Sequence, residues 1–190
     1  MEVLKNRILI DGTVNQNNIL KVDNFLNHQI DVGLLNQIGL EFKKRFSDIN
    51  VDKIITIESS GIAIATITAQ YFDNIPVIFA KKTKSRNLDE ALYHTKVYSS
   101  SKNQDYDLMI SKRYLKKGDK VIIIDDFLAK GSSVMGLMNI IKEAQVELIG
   151  VGIVIEKSYE YASMKLKEQD IRVESLACIE SLENKTIRFK

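Results

Sequence analysis

The chain has 190 residues, enough for one domain with a sizeable core. Its 45% hydrophobic and 27% charged residues are ordinary for a globular protein, and a formal charge of +2 gives no electrostatic case for a nucleic-acid or membrane partner. The single cysteine, Cys178, excludes an internal disulfide, and with only two histidines, far apart, no metal site is expected.

Met1–Arg7 lacks the long apolar run of a signal peptide. No stretch approaches the roughly 18 apolar residues of a membrane span, so a cytoplasmic location is expected.

Residues 2–11 read as a short amphipathic helix through Val3, Leu4 and Ile8, ended by Asp11-Gly12. The stretch 12–30 mixes apolar and amide residues without periodicity. It is either a loop covering the core or part of a binding site. A second helix carries Leu34, Leu35, Ile38, Phe42 and Phe46 on one face. Lys53–Ile57 is a predicted strand, ending in Glu58-Ser59-Ser60-Gly61 before a helix with Ile62, Ala65, Ala69 and Phe72. Such a strand, small polar loop and helix N-terminus suits an anion, and is also the form of an ordinary turn.

Ile75–Ala80, with the one proline Pro76, is a third strand, and Lys81, Lys82, Thr83 and Lys84 leave it. The lysines are either a solvated face or charge for an anion. Residues 85–93 have turn chemistry. Segments 94–101 and 105–111 flank Lys102-Asn103-Gln104, and Tyr106, Leu108 and Ile110 alternate with polar residues, so a β-hairpin is expected. Its apparent weak anchoring suits a mobile lid over about 85–110.

The most informative stretch is Val121–Ser133. Val121 to Ile124 read as a strand buried on both faces, the habit of a parallel sheet. Asp125 and Asp126 follow where the strand is expected to run out into solvent. Ala129-Lys130-Gly131-Ser132-Ser133 then opens a helix with Val134, Leu137, Met138 and Ile141 at helical spacing. Free N–H groups and the helix dipole there suit a phosphate monoester, and the carboxylates suit vicinal ribose hydroxyls. The plain alternative is a buried strand with a solvated acid pair before a routine helix.

A further buried strand spans 148–155 and ends in Glu156-Lys157-Ser158; a helix near 159–168, a strand at 171–176 and a last strand with Ile187 and Phe189 complete the chain. Alternating strands and helices give an α/β fold with a mostly parallel central sheet flanked by helices, in a single domain over 1–190. Ligands in such sheets bind beyond the carboxyl ends of the strands. Glu58–Gly61, Lys81–Lys84, Asp125–Ser133 and Glu156–Lys157 all fall at such ends. That convergence argues for an enzyme.

The run of four hydrophobics, two acids and a short loop closing in Gly-Ser is similar to the phosphoribosyl pyrophosphate (PRPP) signature of the type I phosphoribosyltransferases. The resemblance implies that fold, with a small hood from about 12–30 and the C-terminal part, and a flexible lid hairpin. It also divides PRPP among three features. Ala129, Lys130, Gly131, Ser132 and Ser133 take the 5-phosphate, Asp125 and Asp126 the ribose, and Glu58, Ser59, Ser60, Gly61, Lys81 and Lys82 face the pyrophosphate. Mg²⁺ is implied with PRPP, bridging pyrophosphate and ribose oxygens without a protein cage.

Longer runs are similar to the bacterial xanthine phosphoribosyltransferases of Gram-positive organisms. They are Leu20–Asp23, Phe25–Ile30, Thr56–Ala63, Ile123–Ala129, Gly152–Ser158 and Arg172–Ala177. The resemblance implies xanthine and PRPP as substrates, with Leu20, Asn27 and Lys157 at the base, and so places 12–30 over the site as a hood. Lys157 offers a donor to a 6-oxo purine, and Asn27 a donor and an acceptor to the dioxo edge. Phe127 either stacks on the purine or is simply a buried aromatic.

Ala129 departs from hypoxanthine-guanine relatives, which place there an aspartate able to take the purine N7 proton. The proton acceptor is unassigned, and entry of xanthine as its anion is the other route. Lys130 is a charge where the family often has a neutral residue. The family also implies a homodimer, with lysines 81–84 able to serve the partner subunit. The alternatives are an adenine or hypoxanthine-guanine phosphoribosyltransferase, and a PRPP-sensing regulator. The last needs a DNA-binding module that residues 1–30 are too short to supply.

Overall fold

The computed structural model describes residues 1–83, 91–99 and 103–190. Helix α1 (Glu2–Asp11) buries Leu4 and Ile8 one turn apart and stops where the Gly12 N–H bonds Ile8 O at 2.9 Å. Val3, expected on the same face, is half-exposed, because adjacent helical residues are rotated by about 100°. Residues 12–30 then form an antiparallel pair, β1 (Thr13–Val14) with β2 (Leu20–Lys21), and one π-type turn over Asp23–Asn27. That turn buries Phe25 and Leu26, which is why no strand or α-helix period could be read there.

Helix α2 (Val32–Arg45) is capped by the Asp31 side chain, which accepts from the Leu34 N–H at 3.0 Å. It buries the predicted face through Leu34, Leu35, Ile38 and Phe42, with Phe46 just beyond its end. Strand β3 (Lys53–Ile57), helix α3 (Ser60–Tyr71) and strand β4 (Val77–Ala80) follow. The buried face of α3 runs through Gly61, Ile64, Ala65 and Thr68, and the expected Ile62 is only half-buried. Gly61 faces inward, and the stripe at its i+3, i+4 and i+7 positions is set by it.

Strands β5 (Leu92–Ser99) and β6 (Gln104–Ser111) form the predicted hairpin, and β7 (Lys120–Leu128), α4 (Ser132–Glu143), β8 (Glu147–Lys157), α5 (Ala162–Lys167), β9 (Val173–Ser181) and β10 (Arg188–Phe189) complete the chain. The helix expected near 159–168 starts only at Ala162, after a 3₁₀ turn over Ser158–Glu160. The hairpin is better anchored than its sequence suggests. It buries Val97, Leu108 and Ile110, and a Cβ at Gly136 of α4 would stand 2.4 Å from Val97 Cγ2 and 3.0 Å from Leu108 Cδ1. Gly136 therefore lets the hairpin dock on α4. Lys84, most of 85–93, and 100–102 within the expected lid lie outside the described residues.

The main sheet has the order β10-β9-β8-β7-β3-β4, parallel throughout except for β10. Ile122 and Ile124 of β7 enter one core, with α1, α2 and α3, while Val121 and Ile123 enter a second, with α4, α5 and the hairpin. A run of β-branched residues is what a strand covered on both faces requires. From β3 the chain builds outward to β4, and then returns to β7 on the other side. The strand order thus reverses between β3 and β7, and their carboxyl ends flank the crevice where such sheets bind ligands.

Candidate active site

At the end of β3 the Glu58 N–H donates to Ala80 O at 3.2 Å, and its carboxylate accepts from the Lys82 N–H at 2.5 Å. The turn Glu58-Ser59-Ser60-Gly61 is thereby tied to the lysines leaving β4. Lys81 is fixed through its backbone, exchanging bonds of 2.9 and 3.0 Å with Met109 of the hairpin. Lys82 is exposed, its Nζ 5.5 Å from the centroid of the Tyr106 ring.

On β7 the acid pair is still within the strand, with Asp125 buried and Asp126 half-buried. Register with β8 persists to Leu128–Glu156, so both acids belong to the sheet, and Asp125 is only 7% exposed. Its Oδ1 accepts from the Asp126 N–H at 3.0 Å, and Asp126 Oδ1 accepts from the Phe127 N–H at 3.0 Å. Burial, and then the Asp126 charge beside it, push the Asp125 carboxyl well above the usual carboxylate value of 3.8.

A Cβ at Gly61 would stand 3.2 Å from Asp125 Oδ1 and 2.0 Å from Thr56 Oγ1. Thr56 is fully buried and cannot give way, so α3 starts this close to the acids only because residue 61 is glycine. Gly61→Ala is expected to destabilise the fold by about 1–3 kcal/mol through overpacking. Thermal unfolding checks it; an unchanged Tm would mean that α3 shifts freely.

After Leu128 the chain turns through Gly131, whose φ of +81° is the left-handed region, and Ser132 and Ser133 open the twelve-residue α4. A cleft of about 380 Å³ lies over Ala129–Ser133, with Phe127 and Lys157 on its wall and Tyr98, Tyr106 and Glu160 at its edges. A helix N-terminus and two hydroxyls on its lining are chemistry that suits an anion. A larger cavity of about 570 Å³ runs along the edge strand β4, past Pro76–Phe79 and Tyr114, but holds neither the acids nor the loop. Chemistry, not volume, marks the site.

The predicted base-side residues divide. Phe127 and Lys157 share the cleft, and among the described residues the Lys157 ammonium has no hydrogen bond or ion pair. Asn27 Nδ2 donates to Asp126 Oδ2 at 3.4 Å, bringing the 12–30 region onto the acid pair. Leu20 stays in the core beside Phe25 and Leu26 and does not line the cleft. Sequence reasoning gave no site role to Glu156, a 6%-exposed carboxylate next to Lys157. It accepts from the hydroxyls of Ser163 and, at 2.5 Å, Ser175, and from the Cys178 thiol at 3.7 Å, securing the strand end below the lysine. Burial, and then Glu156, push the Cys178 thiol up.

The profile of the phosphoribosyl transferase domain matches residues 28–185. A xanthine phosphoribosyltransferase of Clostridioides difficile is 54% identical over 190 residues, and xanthine phosphoribosyltransferase 1 of Clostridium perfringens is 52% identical, each alignment covering all of both chains. The chain belongs to the phosphoribosyltransferase family. A xanthine phosphoribosyltransferase of Laribacter hongkongensis is 51% identical over 189 residues, again across both whole chains. The adenine phosphoribosyltransferase of Giardia lamblia, solved with 9-deazaadenine, superposes with a TM-score of 0.77 at 16% identity, over 92% of this chain and 97% of that one. The Saccharomyces cerevisiae adenine enzyme gives 0.74 at 18% identity, over 93% and 99%. These two likenesses bear on the fold alone, the type I phosphoribosyltransferase fold. The domain match begins at residue 28, so Leu20 and Asn27 lie before it, within the part that the full-length relatives also span.

Proposed function

We propose that this phosphoribosyltransferase moves the 5-phosphoribosyl group of PRPP onto xanthine, releasing pyrophosphate and forming xanthosine 5′-monophosphate. The observation that carries it is the cleft at the carboxyl ends of β7 and β8, where a Gly-Ser-Ser helix start, Phe127 and a lysine with no partner among the described residues meet, with the acid pair next to Phe127 on the same strand. Full-length identity above half to proteins named for xanthine supports the choice of base.

Residues 129–133 cradle the 5-phosphate, and Asp125 and Asp126 accept from the ribose hydroxyls. The Glu58–Gly61 turn with Lys81 and Lys82 faces the pyrophosphate. The base lies against Phe127, with Lys157 donating to its 6-oxo group and Asn27, released from Asp126, meeting the dioxo edge. Leu20 backs the hood from the core. A ring nitrogen of xanthine, entering as its anion and so with no proton to lose, forms a bond to C1 as the C1–O bond breaks and pyrophosphate leaves with the bonding pair, through an oxocarbenium-like state beside two carboxylates. Positioning and charge neutralisation at the leaving group supply the rate.

Asp125, Asp126 and Glu58 present only carboxylate oxygens, which suits Mg²⁺, and among the described residues no three His, Cys, Asp or Glu side chains gather into a cage. Mg²⁺ travelling on PRPP oxygens, with Asp125 and Asp126 nearest, would neutralise the departing pyrophosphate. By family inference the chain is a cytoplasmic homodimer, and nothing in its charge calls for nucleic acid or a membrane. Among the described residues no helix is long and apolar enough to cross one.

The test is a phosphoribosyl-transfer assay with PRPP and Mg²⁺ across xanthine, guanine, hypoxanthine, adenine and orotate. Turnover strongest on xanthine is expected. Turnover mainly on another base keeps the cradle and discards the roles of Leu20, Asn27 and Lys157. Folded protein that binds PRPP without turnover points to a regulator.

A further inference from the structure

Tyr106 belongs to no motif in the sequence, yet its hydroxyl stands 2.9 Å from Ser133 Oγ, in the first turn of α4. Lys82 Nζ lies over the same ring at 5.5 Å, and Glu58 holds the Lys82 amide at 2.5 Å. Tyr106 therefore joins the turn assigned to pyrophosphate with the loop assigned to the 5-phosphate. Its place is fixed from within: its cross-strand neighbour Val97 and Leu108, two residues along β6, are buried against Gly136 of α4.

We propose that Tyr106 is a positioning residue that orients the Ser133 hydroxyl toward the 5-phosphate; this rests on reading residues 129–133 as the phosphate loop. A serine hydroxyl has one proton and can accept from other donors. To give its proton to a phosphate oxygen it must turn that proton into the cleft. A donor on its lone pair favours this orientation, and the phenol O–H is such a donor. A chain from Tyr106 to Ser133 to phosphate also strengthens each link, because hydrogen bonds in series polarise one another. The Lys82 cation over the ring withdraws electron density from the phenol and makes it a better donor.

Binding of ribose 5-phosphate, measured calorimetrically, separates the possibilities for wild type, Tyr106→Phe, Ser133→Ala and the double variant. Phe keeps the ring and its contacts, so the Tm is expected to stay near wild type. Tyr106→Phe is expected to weaken ribose 5-phosphate roughly three- to tenfold, the worth of one hydrogen bond. On the Ser133→Ala background the same change should do nothing, and on Ser133→Thr, which keeps the hydroxyl, its effect should return. Binding equal to wild type, or the same loss on both the serine and alanine backgrounds, overturns the proposal. Wild-type protein that does not bind ribose 5-phosphate at all overturns the phosphate-loop reading first, and Tyr106 with it.

Discussion

Asp125→Asn is expected to make the ligand-free protein more stable at neutral pH while lowering kcat/KM for PRPP by about 10²–10³-fold. The Asp125 carboxyl is held well above 3.8, first by burial and then by Asp126. A raised acid is protonated in the folded chain at a pH where the unfolded chain has ionised. The folded state thus keeps its full advantage below about pH 4 and loses it as pH rises from there through the folded-state value. Asn removes that cost and keeps the oxygen that accepts from the Asp126 N–H at 3.0 Å. A gain of about 1 kcal/mol would raise Tm by roughly 2–4 °C in a chain this size. The difference between variant and wild type should shrink on acidification. The activity falls because a neutral amide neither accepts as strongly from a ribose hydroxyl nor offsets charge growing at C1. Thermal melts from pH 4 to pH 8, beside steady-state kinetics, check both halves. A variant less stable than wild type at every pH would mean that the buried carboxylate is ionised and well solvated by its neighbours.

Why the strand and helix start around residues 129–133 were legible, and the state of the acid pair was not, comes down to range. Val121–Ile124 and Gly131-Ser132-Ser133 announce a buried strand and a helix start through local chemistry. The burial of Asp125 depends on β8 continuing alongside to Glu156, and on α3 approaching as close as Gly61 allows. Neither fact has a local signal. The 12–30 region shows the same limit: a short strand pair and a π-type turn leave no period, and Leu20 looks alike whether it faces the core or a purine. The alternation of Tyr106, Leu108 and Ile110 did reveal the hairpin. Its firm seat could not be read, because it is set by the absence of a side chain at Gly136, on another element. Tyr106 itself was legible only as one member of that alternation. Its proximity to Ser133 arises from the docking of β6 on α4.

Lys157→Ala is expected to lower kcat/KM for xanthine by about 10- to 150-fold, the worth of a hydrogen bond from a charged donor. Lys157 ends β8 at its pairing with Ile179 and stands half-buried on the cleft wall, its neighbour Glu156 secured by two hydroxyls. A partly desolvated ammonium with no partner among the described residues is suited to a carbonyl oxygen and repels an amino group. Adenine carries an amino group at the ring position where xanthine carries an oxygen, so the lysine selects by repulsion as well as attraction. Removing it should therefore leave adenine turnover unchanged or raise it, and the ratio of the two kcat/KM values should collapse. Lys157→Met, which keeps the stem, should behave in the same way if charge is the cause. The cleft position allows one rival role, since Lys157 shares its wall with residues 129–133, the loop proposed for phosphate. A loss confined to the KM for PRPP, with the preference for xanthine over adenine intact, would assign the lysine to the phosphate and leave the base without its cationic partner.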